Sequence, residues 1–209
     1  MTAQHFVITA IIPAYNEAGR VGKTVKRVAP YVDEIIVVDD ASTDNTAAEA
    51  RTAGAQVVQN QQNMGYIYSI KRGFTEAQGN IVITFDADGE FPADSIPRLV
   101  QPILDNEADM VQGHRDIVPR PSERFLTWFA CQIGQVGDSG TGLRALRTEL
   151  AQRLELIGSC ICGIFALEVL SKGGRITEIP IELQSTDKSR RIAWHHLKQF
   201  FYILRWLVK

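Results

Sequence analysis

The feature that most constrains this chain is an alternation. Apolar, β-branched runs at Phe6–Ile12, Asp33–Asp40, Ala55–Gln59 and Asn80–Phe85 are separated by helical patterns. Between the first two, Val21, Val25 and Val28 recur at helical spacing from about Ala18, and Pro30 closes that segment. A short Ala-rich helix runs to about Ala53, and Gly54 stops it. Met64–Ala77 places Ile67, Ile70 and Phe74 on one face and ends at Gly79. Strand and helix in this order, with short links, predict an α/β protein with a mainly parallel sheet between helices. Pro13 is expected to end the first strand.

The strands end in acids. Glu17 follows the first, Asp39 and Asp40 close the second, and Asp86 and Asp88 follow the fourth, with Glu90 beyond. In an open parallel sheet these ends share one edge, where ligands bind. Carboxylates gathered there repel one another unless a cation lies between them. Hard oxygen ligands suit Mg²⁺ or Mn²⁺, which commonly bridge to a substrate's phosphates. On its own, Asp86-Ala87-Asp88 also reads as an acidic turn.

The second half is less regular. Helices are expected at Asp94–Leu104, Ser122–Gly134, Glu149–Leu156 and Ile164–Ser171, and strands at Asp109–Arg115, Leu143–Leu146 and Arg175–Leu183. Gly137–Gly142 is a loop, and Ser185–Arg191 is a polar, basic one.

Composition sets outer limits. The chain is 45% hydrophobic and 22% charged with a net charge of −2, which gives no overall sign of a nucleic-acid partner. The start has no secretory pattern, and no apolar run reaches the roughly 18 residues of a membrane span. Cys131, Cys160 and Cys162 are expected to be reduced and mostly buried in a cytoplasmic protein.

Several of these segments together resemble family 2 glycosyltransferases. They are Ile11-Ile12-Pro13-Ala14-Tyr15-Asn16-Glu17, Val37-Val38-Asp39-Asp40-Ala41-Ser42-Thr43-Asp44, Asn63-Met64-Gly65 with Gly73, Asp86-Ala87-Asp88, Gly113-His114-Arg115, Ser139-Gly140-Thr141-Gly142-Leu143-Arg144 and Glu178-Ile179-Pro180-Ile181. The nearest likeness is to dolichol-phosphate mannosyltransferases and polyprenyl-phosphate glycosyltransferases. The resemblance implies a GT-A fold, a Rossmann-like three-layer α/β/α arrangement over residues 1–191. It implies a donor pocket with Pro13, Tyr15, Glu17 and Asp39. Asp86 and Asp88 match the metal-binding DXD motif.

Glu90 stands where relatives usually carry Gln, and it extends the metal-ligand set to three. Arg115 resembles a phosphate-contacting arginine. Asp138 lies near the acceptor in such enzymes and is a candidate base. Arg144 either holds a phosphate or pairs with an acid of the fold. Arg190 takes the place of a lysine expected near the lipid phosphate or donor diphosphate. Ser42, Thr43 and Asp44 are read as helix caps. Relatives commonly have Lys after Asn-x-Gly, whereas this chain has Tyr66-Ile67-Tyr68.

Residues 192–209 form a last amphipathic helix. Trp194, Leu197, Phe201, Leu204 and Val208 make one stripe, with Lys198, Arg205 and Lys209 beside it. Two readings stand: a membrane-surface helix, or a helix packed on the domain or on a second subunit in a homodimer. Trp128 and Phe129 likewise face either lipid or core.

The function these features imply is an inverting, metal-dependent transfer of a hexose from a nucleotide-diphosphate sugar to a polyprenyl or dolichyl phosphate, at the cytoplasmic face of a membrane. GDP-mannose is the first donor expected, then UDP-glucose, then UDP-N-acetylglucosamine. The alternatives are a soluble glycan or protein acceptor, or a non-catalytic sugar-nucleotide-binding module.

Overall fold

A computed structural model describes residues 6–116, 118, 121–158, 160–184, 193–204 and 206. Seven strands form one sheet: β1 (Ile8–Ala14), β2 (Glu34–Asp39), β3 (Gln56–Gln59), β4 (Ile81–Thr84), β5 (Met110–Arg115), β6 (Arg144–Arg147) and β7 (Ile176–Ile181). Their spatial order is β3-β2-β1-β4-β6-β5-β7. Only β6 runs against the rest, antiparallel to both β4 and β5.

Helices α1 (Val21–Val28), α2 (Thr46–Thr52) and α4 (Ile96–Leu104) cover one face. Their Val21, Val25, Ala50, Leu99 and Ile103 pack with Ile12, Val37 and Ile83 of the sheet. Helices α3 (Tyr66–Glu76), α5 (Pro121–Cys131), α6 (Thr148–Gln152), α7 (Ile164–Ser171) and α8 (Ala193–Leu204) cover the other. There Ile70, Phe74, Leu126, Leu150, Phe165 and Ile203 pack with Ile11, Val38, Val82 and Leu146. Neighbouring residues of β1 and β4 thus feed opposite cores, as expected for strands buried on both faces. The layering is the GT-A arrangement expected from the sequence.

Pro13 does not end β1, which continues through Pro13 to Ala14 beside β2. Ile11, of the same parity, turns its carbonyl to β4 and accepts from the Phe85 N–H at 3.0 Å. The missing N–H of Pro13 therefore faces the β4 side, where the ladder has already stopped at the Ile11–Thr84 pair. The proline removes no bond that the sheet would make.

Gly73 lets α3 lie directly on β1. A Cβ there would come within 2.2 Å of the Ile11 side chain. The last helix is docked on the domain. Phe200 lies against Phe129 with ring centroids 4.9 Å apart, and Ile203 is buried. The sequence stripe misleads at Gln199, which is buried. Its amide donates to the Cys162 carbonyl at 2.9 Å and accepts from the Cys160 N–H at 3.1 Å, so burial leaves its polar atoms satisfied. Leu197 and Phe201 of the expected stripe point outward. All three cysteines are free; Cys162 is buried, whereas Cys131 is exposed on α5, contrary to expectation.

Candidate functional site

The site loops converge because of strand direction. β1, β2, β4 and β5 deliver their C-terminal ends to one edge, and the reversed β6 brings its N-terminal end there, pairing Arg144 with Thr84 and Gln112. The loop over residues 137–142 therefore meets the segment that follows β4.

The first two loops are strapped together. Asn16 N–H donates to Ser42 Oγ at 2.9 Å, and Thr43 N–H donates back to Asn16 Oδ1 at 2.9 Å. Glu17 N–H donates to Thr46 Oγ1 at 2.8 Å, and Ala18 N–H to Asp44 Oδ2 at 3.1 Å. Ser42 and Thr43 thus clamp the loop after β1 rather than cap a helix. Asp44 bonds both ways, since its other oxygen accepts from the Thr46 N–H at the start of α2. Its carboxyl is held below the ordinary range, chiefly by the Thr46 hydroxyl. Glu17 is buried and pairs with Arg20 at 2.8 Å. Tyr15 lies exposed beside it, and Pro13 is buried below.

Ala41 sits at φ 61°, in the left-handed region. The turn lets Ser42 N–H reach Asp39 Oδ1 at 3.1 Å, while Gln59 donates to Oδ2 at 3.0 Å. Asp40 has a task that the sequence did not reveal. It accepts from Asn60 Nδ2 at 2.7 Å, Met64 N–H at 2.8 Å and Gly65 N–H at 2.7 Å. It fixes the loop that starts α3.

Asp86 and Asp88 lie on the loop after β4, half-buried. α1 secures this loop from below. Thr24 Oγ1 donates to the Ala87 carbonyl at 2.9 Å, and Arg27 donates to the carbonyls of Gly89 and Phe91 at 3.4 and 3.2 Å. Asp88 Oδ1 accepts from the Glu90 N–H at 3.1 Å. Tyr66, at the start of α3, donates its hydroxyl to Asp86 Oδ1 at 2.9 Å. Tyr66 is 36% exposed, but its hydroxyl end is turned inward onto Asp86; burial of that end and the Asp86 charge hold the phenol above its ordinary pKa, so it stays a donor. On the other side, a Cβ on Gly142 would lie 2.1 Å from Asp86 Oδ2.

Two hard carboxylates on one braced loop, against a backbone that leaves no room for a side chain, suit a divalent cation completed by phosphate oxygens. Among the described residues no group of three or more His, Cys, Asp or Glu is placed to hold a metal by itself. Arg190 and its basic loop lie outside the described residues.

Arg115 and Asp138 meet each other. Arg115 gives Asp138 its Nε and Nη2, both at 2.7 Å, and also bonds Glu123 of α5. All three are buried. The guanidinium pKa is raised: burial opposes this, and Asp138 and Glu123 outweigh it. Glu123 was not singled out in the sequence; its signal was a carboxylate two residues before the apolar Phe125 and Leu126. Gly140 admits it, since a Cβ there would fall 2.0 Å from Glu123 Oε1. Arg144 is fully buried. It donates to the Ser139 carbonyl at 2.8 Å and lies 4.6 Å over the Phe165 ring. Burial lowers its pKa, with Tyr66 and Asp138 opposing.

The sequence matches the Glycosyl transferase family 2 profile over residues 9–174. Dolichol-phosphate mannosyltransferase of Pyrococcus furiosus is 27% identical over 95% of this chain and 64% of its own length. Undecaprenyl-phosphate 4-deoxy-4-formamido-L-arabinose transferase of Edwardsiella ictaluri is 37% identical over 70% of this chain and 51% of its own. The chain thus spans about half to two thirds of these relatives. A crystal structure of Mycobacterium tuberculosis glucosyl-3-phosphoglycerate synthase with Mn²⁺, UDP-glucose and phosphoglyceric acid aligns with a TM-score of 0.81 at 21% identity, over 96% of this chain and 79% of that one. With a profile match across most of its length and this arrangement of strand-end acids, the chain belongs to glycosyltransferase family 2.

Proposed function

We propose that this chain transfers a hexose from a nucleotide-diphosphate sugar to a polyprenyl phosphate, with Mg²⁺ or Mn²⁺ and with inversion at the sugar. The observation that carries the reading is the braced loop of Asp86 and Asp88 on the same sheet edge as Glu17 and Asp39. Pro13, Tyr15, Glu17 and Asp39 receive the nucleoside. Tyr15 offers a ring to the base, and the carboxylates accept hydroxyl protons. Asp86 and Asp88 would hold the cation, which would neutralise the departing diphosphate.

Arg115 and Asp138 act as a buried pair that sets the shape of the acceptor side. A phosphate acceptor is already anionic, so the chain's main tasks are alignment and charge stabilisation. Relatives named for dolichol- and undecaprenyl-phosphate sugar transfer support a lipid phosphate acceptor. GDP-mannose is the first donor to test and UDP-glucose the second.

A second reading is favoured by the structural neighbour that holds phosphoglyceric acid: a small soluble phosphate-bearing acceptor. The test is transfer of labelled hexose from GDP-mannose or UDP-glucose, with Mn²⁺, to a short polyprenyl phosphate or to 3-phosphoglycerate. Lipid-linked product that needs metal and is lost in Asp88→Ala is expected. Product only on 3-phosphoglycerate would replace the lipid acceptor by the soluble one.

A further inference from the structure

Tyr66 begins α3 immediately after Asn63-Met64-Gly65, and its place is fixed from several directions. Asp40 holds the N–H groups of Met64 and Gly65 at 2.8 and 2.7 Å. Asn60 links Asp40 to Ser69 of α3, at 2.7 and 3.2 Å. The close approach at Gly73 seats the helix on β1. From this anchored turn the Tyr66 hydroxyl reaches Asp86 Oδ1 at 2.9 Å.

The opposite oxygen of Asp86 faces the Gly142 backbone, and Thr84 Oγ1 secures Gly142 by donating to its carbonyl at 2.8 Å. Asp86 is therefore bracketed by a donor on one side and a backbone wall on the other. A carboxylate on a flexible loop has several rotamers of similar energy, and this bracket selects one.

We infer that Tyr66 is a positioning residue for the cation, holding Asp86 in its ligating rotamer through the hydroxyl. The inference rests on the metal reading above. Hydrogen bonds to a metal ligand orient it before the metal arrives, and their loss typically weakens metal binding about 10–100-fold. A phenol suits this task because it is a neutral donor. It orients the carboxylate and leaves the charge available to the cation. A lysine at the same place would add a positive charge beside the cation and repel it.

The test is Mn²⁺ binding to the 209-residue chain, followed by electron paramagnetic resonance with saturating GDP or UDP, comparing wild type, Tyr66→Phe and Asp86→Asn. Tyr66→Phe keeps the ring and removes only the hydroxyl. It is expected to bind Mn²⁺ about 10–100-fold more weakly. Its melting temperature without metal, and its metal-free nucleotide affinity, should stay at wild-type values. A Tyr66→Phe chain that binds Mn²⁺ as wild type does, while Asp86→Asn does not, overturns the role of Tyr66 and leaves the metal reading standing. Equal Mn²⁺ binding in wild type and Asp86→Asn overturns the metal reading and this inference with it.

Discussion

Asp138 receives three hydrogen bonds from a single residue, Arg115: from the backbone N–H at 3.0 Å, from Nε at 2.7 Å and from Nη2 at 2.7 Å. Burial alone would raise the Asp138 pKa, but the guanidinium outweighs it and the carboxyl is held below its ordinary value of 3.8. A carboxylate so stabilised is a weak proton acceptor. Its N–H is also tied, to Glu178 Oε1 at 2.6 Å, so the residue is fixed as well as charged.

Asp138→Ala leaves a buried guanidinium with only Glu123 opposite it. Breaking a buried pair in this way costs about 3–5 kcal/mol, which urea unfolding will register. Asp138→Asn keeps the shape and part of the hydrogen bonding. It is expected to retain the acidic limb of the pH–rate profile, because that limb does not belong to Asp138. Loss of the limb in the Asn variant would restore the general-base role.

Asp109 gives a stability prediction away from the site. It accepts from Arg175 Nε at 3.0 Å and Arg147 Nε at 3.2 Å, joining the start of β5 to β6 and β7. Arg175 foremost lowers its pKa from 3.8 to about 2. A depressed carboxylate pKa stabilises the fold above the unfolded value, and the contribution fades as pH falls through the folded one. The window is thus pH 3.8 down to about 2. Arg175 is half-exposed, so solvent screening leaves roughly 1 kcal/mol of this difference as stability. Asp109→Asn should lose about that much at pH 7 and almost nothing at pH 2, by unfolding measured at both.

The first half of the fold was legible because β-branched runs and helical spacing alternate there without exception, and strands buried on both faces leave a strong apolar signal. The strand-end acids could be placed on one edge for the same reason. What escaped were contacts between loops. Nothing in Ser42-Thr43-Asp44 separates a helix cap from a clamp on the preceding loop, since the same short polar side chains do both. Tyr66 stood out only as a departure from the Lys of relatives, and the tertiary path of α3 is what brings its hydroxyl to Asp86. Gln199 was not singled out in the last helix. Its burial depends on two backbone partners from a loop distant in sequence.

The last helix leaves an apolar surface uncovered among the described residues. Phe125 is 50% exposed, Trp128 58%, Leu197 52% and Phe201 61%. The rings are continuous: the Phe125 centroid lies 5.9 Å from that of Trp128 and 5.9 Å from that of Phe200, which lies 5.8 Å from that of Phe201. Exposed Arg124 and Lys198 flank the patch. No described helix is long and apolar enough to cross a membrane. Aromatic side chains with basic ones beside them suit the surface of an anionic bilayer, where the rings enter the headgroup boundary and the cations meet lipid phosphates. Such a contact would bring the site to a lipid-borne acceptor. The double variant Trp128→Glu/Phe201→Glu changes only exposed positions, so unfolding should shift by no more than about 0.5 kcal/mol per site. Co-sedimentation with phosphatidylcholine–phosphatidylglycerol vesicles should fall at least tenfold, and transfer to a soluble short-chain polyprenyl phosphate should be unchanged. If wild type ignores the vesicles and sediments as a dimer that the variant dissociates, the patch instead joins two copies of the chain.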